Sequence, residues 1–210
     1  MYNSRNNLII GFHGCDEKIQ KDLLNQPNVI QVSDNPHDWL GHGIYFWENN
    51  YERALQWAKE KQKRGEIEHA SVIGAVLSLD YCLDFTDSTF INLLIKYFEL
   101  LSDGYKELER KLPENKNIKQ DEHNDYLLRI LDCAVIEFLH HSITKEIEQE
   151  IQTKGYSNLK TFDSTRGLFT EGGPAFPGAG IQKKNHIQIC IRNRNCIKGF
   201  FLPRKGIAFA

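Results

Sequence analysis

The spacing of apolar residues changes twice along this chain of 210 residues. Residues 72–79 form a compact apolar run that is typical of a buried strand, and Ile187, Ile189 and Ile191 alternate with other side chains as in a half-buried strand. Residues from about 88 to 155 instead repeat their apolar positions every three or four residues, which is typical of helices. Strand patterns on both sides of a helical segment predict an α+β fold.

The length suits one domain, so we expect a single unit, 1–210, that carries a helical insertion at about 88–155. Pro113 interrupts the helical pattern, which predicts two helices, and the polar residues 145–154 continue or follow the second. The other expected elements are strands at 8–13, 29–33 and 197–202, a compact element at 43–47, a helix from 51 to about 64, and loops at 33–43 and 172–180.

The composition is that of an ordinary globular protein, with 40% apolar residues, 26% charged residues and a formal net charge of −2. No apolar run approaches the roughly 20 residues that cross a bilayer, and the first residues lack a signal-peptide pattern, so we expect a cytoplasmic protein without a membrane segment. The five cysteines form no CxxC pair and are expected to be free thiols. Their spacing relative to the histidines predicts no metal site.

The charge is unevenly distributed. Residues 181–210 contain seven basic side chains and no Asp or Glu, so the other 180 residues hold 19 basic and 28 acidic side chains, a formal −9. A basic C-terminal segment fits an anionic ligand such as a dinucleotide or a nucleic acid. Lys and Arg that protect the edge of a sheet would leave the same pattern, and both interpretations stay open.

Several common catalytic motifs are absent from the sequence, including GxSxG, the Walker A loop and HExxH. His13 and Cys15 are two residues apart on an expected strand and therefore share one of its faces. A Cys–His nucleophilic pair is possible there, although a small buried thiol is the commoner role of such a cysteine.

A three-part pattern remains. It consists of Phe-His-Gly-Cys at 12–15, Gly-His-Gly-Ile-Tyr-Phe at 41–46 ahead of a helix, and His-Ile-Gln-Ile-Cys-Ile at 186–191. In this order the pattern resembles the ADP-ribosyltransferase superfamily, in its diphtheria-toxin-like or poly(ADP-ribose)-polymerase-like branch. The resemblance covers roughly 8–60, 72–84 and 160–202. It implies a split antiparallel sheet and NAD as the co-substrate.

The resemblance assigns roles to residues of the first two motifs. His13 would hydrogen-bond the adenosine-side ribose, and Gly14 would let the backbone approach the nicotinamide carboxamide. Tyr45 would stack on the nicotinamide ring. Cys15 stands where the family usually has Ser or Thr, so one hydroxyl contact would be lost. The simpler alternatives are a structural histidine, a strand-end turn and a core tyrosine.

Gln188 would take the place of the family's catalytic glutamate, which favours the positively charged ribose as nicotinamide leaves. A glutamine is neutral, so mono-ADP-ribosyl transfer or hydrolysis is expected rather than chain formation. Glu171 and Glu48 are the two carboxylates available to compensate for this change. The alternatives are that Gln188 is a solvent-facing strand residue and that Glu171 and Glu48 are surface carboxylates.

Four further residues complete the expected NAD site. Asn35 and Trp39 lie in the loop ahead of the second motif and would line the pocket, with Gly43 close to the cofactor. Arg166 lies in the polar stretch 163–167, interpreted as a loop, and would hold a phosphate. The expected site thus comprises His13, Gly14, Cys15, Asn35, Trp39, Gly43, Tyr45, Arg166, Glu171 and Gln188.

The sequence therefore predicts an NAD-dependent mono-ADP-ribosyltransferase, of a kind found as bacterial toxins or defence effectors, acting on a nucleic acid or a protein. An antitoxin is a possible partner, docking on the helical segment. Two alternatives stay open. One is a catalytically silent module that binds NAD, ADP-ribose or nucleic acid, and the other is an enzyme like the RNA 2′-phosphotransferases.

Overall fold

The computed structural model describes residues 4–5, 8–119 and 121–204. Its strands are β1 (Ser4–Arg5), β2 (Ile9–Asp16), β3 (Ile44–Glu48), β4 (Ala70–Leu77), β5 (Asp80–Asp84), β6 (Ser164–Phe169), β7 (His186–Ile191) and β8 (Ile197–Phe201). Its α-helices are α1 (Glu17–Asn25), α2 (Tyr51–Lys63), α3 (Ser88–Glu107) and α4 (Ile130–Lys154). The strands are ordered β1-β5-β6-β7-β3-β2-β4-β8 across one mixed sheet, which confirms the α+β class.

The observed sheet departs from the expected split antiparallel sheet at one pair of strands. β5 and β6 run parallel, with Cys82 opposite Ser164 and Asp84 opposite Arg166, whereas the other described pairs are antiparallel. Parallel neighbours cannot be joined by a tight turn and need a long crossover, usually helical. The helical segment supplies this crossover, since α3 and α4 lie between β5 and β6 in the chain.

The element boundaries differ from the predicted ones in several places. α3 ends at Glu107 and Glu109 has a φ of +51°, so the predicted helical pattern stops before Pro113, and the polar residues 145–154 belong to α4. The strand expected at 29–33 is wrong, because Pro27–Val29 is a short 3-10 helix and only Ser33 makes a bridge. The stretch at 163–167, expected as a loop, contributes to β6, and α1 and β5 were not expected.

Both faces of the sheet carry a core. On one face, Phe46, Ile189 and Ile191 pack with Leu23 of α1, and we call this the α1 face. Side chains alternate along a strand, so Trp47 points to the opposite face, where it packs with Ala54 of α2. Further along that face, at β5, Leu83 packs with Phe90 of α3 and Leu139 of α4. We call it the α2/α4 face.

The sheet opens between two of its central strands. β2 pairs with β4 over eight residues, from Ile9 to Asp16, but with β3 only at Gly11–Glu48 and Phe12–Trp47. Residues 13–16 of β2 and 44–46 of β3 therefore separate from each other, although β3 stays paired with β7. The motifs singled out in the sequence lie on these three neighbouring strands. None of the helices in the described part of the chain combines the length and the apolar character that spanning a bilayer requires.

Candidate functional site at the opening between β2 and β3

Backbone groups point into the opening from both strands. The carbonyl of Ile10 accepts the N–H of Asn49, so β2 directs the peptide groups of residues 10, 12 and 14 towards β3. Phe12 is the last of these that pairs with β3, which leaves the N–H and C=O of Gly14 facing the opening. On the other side, Tyr45 directs its peptide groups towards β2. The opening thus presents a donor and an acceptor, the pattern that a carboxamide complements.

His13 bridges the opening. Its Nδ1 lies 2.8 Å from the carbonyl oxygen of Tyr45. Burial lowers the pKa of His13, and nearby Lys61 lowers it further, whereas the hydrogen bond to Tyr45 opposes the change. The imidazole is therefore neutral at pH 7. A carbonyl oxygen can only accept, so Nδ1 carries the hydrogen and Nε2 is left as an acceptor.

Gly14 and Cys15 have different environments. A Cβ on Gly14 would lie 2.3 Å from the backbone oxygen of Ala54, so only glycine fits where β2 meets α2. Cys15 is buried in the core of the α1 face, and burial raises the pKa of its thiol to about 12. A thiolate is the reactive form of cysteine, so this environment does not favour the Cys–His nucleophilic pair.

The hydroxyl of Tyr45 is held by the loop ahead of β3. It donates to the carbonyl oxygen of Gly41 at 2.8 Å and accepts the N–H of Leu40 at 3.0 Å. Burial, followed by the thiol of Cys190 and the carboxylate of Asp38, raises the pKa of Tyr45 well above its usual range. Tyr45 is thus a fixed phenol, with its ring on the α2/α4 face.

Gln188 lies on the same face and is 9% exposed. Its Oε1 accepts the indole N–H of Trp39 at 2.5 Å. The ring of Trp39 covers Gly167 of β6, where a Cβ would lie 2.8 Å from the indole, and stands edge-on to Phe169. The expected loop residue Trp39 and the expected third-motif residue Gln188, 149 positions apart, are therefore in direct contact.

The three motif side chains do not all point to one side of the sheet. Tyr45 and Gln188 face α2 and α4, whereas alternation along β2 places His13 on the α1 face, beside Phe46 at 5.8 Å between ring centroids. His13 meets Tyr45 through the backbone. A ligand in the opening between β2 and β3 would lie beside His13 and Tyr45, whereas Gln188 is one strand further away, on β7.

Glu171 is buried and paired. Its carboxylate accepts from Arg53 Nε at 3.1 Å and from Arg53 Nη2, and it lies 3.9 Å from His186 Nδ1. Burial lowers the pKa of His186 to about 4. Arg53 Nη1 and Trp47 Nε1 are buried donors without a hydrogen-bond partner in the described part of the chain. A water molecule or a ligand atom at these donors would remove a cost of about 1–3 kcal/mol each.

Arg166 and Glu48 form an ion-pair cluster on the α1 face. Arg166 Nε donates to Glu48 at 2.6 Å, and its Nη1 lies 3.2 Å from both oxygens of Asp84. The hydrogen bond with Glu48 raises the pKa of Arg166, although burial opposes this. Two carboxylates already hold the guanidinium, so a phosphate would have to displace one of them.

Asn35 and Gly43 shape the loop. The side chain of Asn35 donates to Ser33 Oγ at 2.8 Å, and its backbone N–H donates to Asp38. A Cβ on Gly43 would lie 2.4 Å from the sulfur of Cys190, so the loop can approach β7 only with glycine here.

Two residues missed in the sequence also contact this loop. Glu137 of α4 accepts the backbone N–H of His42 at 2.7 Å and forms a two-point ion pair with Arg192. Glu137 lies in the helical segment, to which no motif applies. The signal that the sequence offers is a charged residue placed among apolar neighbours on one helix face. Arg192 also lines a cavity of about 270 Å³ that it shares with His140 and Asp163.

The basic C-terminal segment does not form one free patch. Arg192 is bound to Glu137, and Arg194 donates to the backbone oxygens of Asn28 and Ile30. Lys198 is exposed on β8, at the edge of the sheet, and Lys205 lies outside the described residues. All five cysteines are buried and none forms a disulfide. Among the described residues, no cluster of three His, Cys, Asp or Glu could hold a metal ion.

Comparison with known proteins does not assign a function. No family model and no solved structure matches the chain. The chain is 25% identical over 206 residues to the uncharacterized protein MJ0359 of the archaeon Methanocaldococcus jannaschii, and the match covers 89% of this chain and 83% of that protein.

Proposed function

We propose that the chain is an NAD-dependent mono-ADP-ribosyltransferase with the split sheet of that superfamily. The observation that carries the proposal is the opening of the sheet at His13, Gly14 and Tyr45. These residues come from the first two motifs, which lie on adjacent strands. The third motif is on β7, the next strand, where Gln188 contacts Trp39.

The opening suits nicotinamide riboside chemistry. The carboxamide of nicotinamide pairs with the N–H and C=O of Gly14 that face the opening, because an amide offers the matching donor and acceptor. The neutral imidazole of His13 offers Nε2 as an acceptor for a ribose hydroxyl. Neither contact needs a charged group, which suits a ligand whose pyridinium ring is cationic.

The reaction breaks the bond between the ribose C1′ and the nicotinamide nitrogen. The bonding electrons leave with nicotinamide, which becomes neutral, and positive charge develops on the ribose. The oxygen of Gln188 can accept a second hydrogen bond beside that from Trp39, so it orients a ribose hydroxyl while its partial negative charge gives modest stabilisation. A nucleophile of the acceptor, or water, then bonds to C1′ and loses its proton.

The test is nicotinamide release from NAD by the purified chain. We expect release by the wild type and its loss in Gln188→Ala, while Gln149→Ala, an exposed glutamine on α4, should behave as the wild type. A wild-type chain that neither binds nor cleaves NAD would refute the proposal. Mass spectrometry of protein and nucleic acid after incubation with labelled NAD then identifies the acceptor.

One observation favours a second candidate, a module that binds NAD or ADP-ribose without turnover. Gln188 is neutral, nearly buried and already bonded to Trp39, so it stabilises a positive ribose less than a carboxylate does. Calorimetry separates the two candidates. Binding of NAD without any nicotinamide release supports the silent module, and release excludes it.

A further inference from the structure

A single carboxylate of α4 holds the loop ahead of β3. Glu137 Oε1 accepts the backbone N–H of His42 at 2.7 Å, and Glu137 Oε2 accepts from Arg192 Nη2 at 3.1 Å. Arg192 Nη1 donates both to Glu137 and to the backbone oxygen of His42, at 2.9 Å. Both peptide groups of His42 are therefore fixed by one ion pair, which joins α4 to the end of β7.

The same face of α4 contacts the loop at two further points. The sulfur of Cys133 lies 3.7 Å from the backbone oxygen of Asn35. Gly41 has a φ of +80°, and a Cβ on it would lie 2.5 Å from Glu137 Oε1 and 2.8 Å from the side chain of Ile136. The loop can follow α4 this closely only because residue 41 is a glycine.

The loop in turn holds the residues of the proposed site. The hydroxyl of Tyr45 is hydrogen-bonded to the backbone of Leu40 and Gly41. Trp39, which precedes Leu40, is hydrogen-bonded to Gln188. Trp39 and Tyr45 are each three residues from His42 along the chain. Any movement of His42 would therefore be transmitted to the side chains of both residues.

We propose that Glu137, through its ion pair with Arg192, is a positioning residue that holds residues 39–43 so that Tyr45 and Gln188 are fixed for the ligand. This inference rests on the proposed function, because Tyr45 and Gln188 are assigned to the site by that proposal. The contact of Glu137 with His42 and Arg192 is independent of it. The crossover helix α4 is then a component of the site, although the motifs do not include it.

The balance of forces at Glu137 fits this role. Burial alone would raise the pKa of its carboxyl, but the hydrogen bonds from Arg192 and His42 outweigh this and lower it. The group therefore stays ionised and remains the acceptor of three donors. Two-point pairing of a guanidinium with a carboxylate also fixes orientation, which a single contact does not.

The test compares Glu137→Ala and Glu137→Gln with Glu150→Ala. Glu150 is a matched control because it lies on the same helix, is similarly exposed (25% against 26% for Glu137) and forms its own hydrogen bonds, to Lys154 and Ser157. The readout is the indole N–H resonance of Trp39 in isotope-labelled protein, assigned with Trp39→Phe. This resonance reports the bond to Gln188 without any need for NAD.

We expect Glu137→Ala to shift the Trp39 resonance and Glu137→Gln to shift it less, since the amide still accepts from His42, while Glu150→Ala leaves it unchanged. Nicotinamide release should fall on the order of 100-fold in Glu137→Ala, the scale of a 1 Å misplacement. A folded Glu137→Ala with the wild-type Trp39 resonance overturns the inference.

If Glu137→Ala does not fold, the Trp39 resonance is measured in Glu137→Gln and Arg192→Lys instead. Both introduced side chains can still form hydrogen bonds, but neither forms the two-point ion pair. No shift of Trp39 in either variant would overturn the inference. A wild type that releases no nicotinamide counts against the proposed activity alone, since the resonance still measures the positioning.

Discussion

Gln188 is the residue on which the proposed chemistry depends most. Replacing it with glutamate puts a negative charge where ribose charge develops, and Glu can still accept from Trp39. We predict that Gln188→Glu raises nicotinamide release on the order of 100-fold, the lower end of what one preorganised electrostatic contact contributes. Release should be measured at saturating NAD. A rate equal to that of Gln188→Ala would show that residue 188 does not face the reacting carbon.

Gly14 can be tested in the same way against another glycine in a strand. A Cβ at Gly14 meets the backbone of Ala54 at 2.3 Å, whereas a Cβ at Gly199 of β8 meets nothing within 4 Å. We predict that Gly14→Ala pushes α2 away, abolishes NAD binding by calorimetry and lowers the melting temperature. Gly199→Ala should change neither. Equal effects of both substitutions would contradict the close approach of β2 and α2.

At the level of elements, the cap of α2 links stability to the site. Asn50 accepts the N–H of Arg53, and Asp87 caps α3 in the same way through Thr89. Each change to alanine should lower the free energy of unfolding by about 1 kcal/mol in denaturant titrations. Only Asn50→Ala should also weaken NAD binding, because α2 contacts Gly14 and α3 does not. Loss of binding in Asp87→Ala would argue for a global effect.

Periodicity was sufficient for the elements that have one buried side. The sequence correctly predicts the strand at 187–191 and the helices α2 and α4, because a single buried face gives each of them a periodic apolar pattern. The stretch 163–167, most of which lies in β6, is instead predicted as a loop. The β6 sequence Ser-Thr-Arg-Gly-Leu-Phe shows no apolar alternation, since Ser164 and Thr165 are buried by neighbouring strands and Arg166 by carboxylates.

The site itself was predictable only in part. The motifs identified His13, Tyr45 and Gln188, which lie on adjacent strands, but alternation within each strand placed His13 on the other face. The opening between β2 and β3 depends on where pairing stops, which no local pattern encodes. The contact of Glu137 with His42 joins residues 95 positions apart and arises only when α4 packs on the sheet.

At the scale of the whole molecule, three histidines are kept neutral by their surroundings. Burial lowers the pKa of His140 to about 3 and that of His186 to about 4, and it lowers the pKa of His13. In the unfolded chain these groups bind a proton near pH 6.5. Between about pH 6.5 and 4 the unfolded state therefore holds more protons than the folded state, so acid favours unfolding.

We predict that the free energy of unfolding falls as the pH is lowered from about 6.5 to 4, above the range in which most carboxylates titrate. His140→Asn removes one proton-binding group and should flatten this dependence, although it lowers stability at pH 7. His69→Gln, at an exposed histidine, serves as the control for the loss of a histidine. Denaturant titrations across this range measure both slopes. Equal slopes for His140→Asn and the wild type would mean that His140 can bind a proton in the folded state, contrary to its burial beside Phe162.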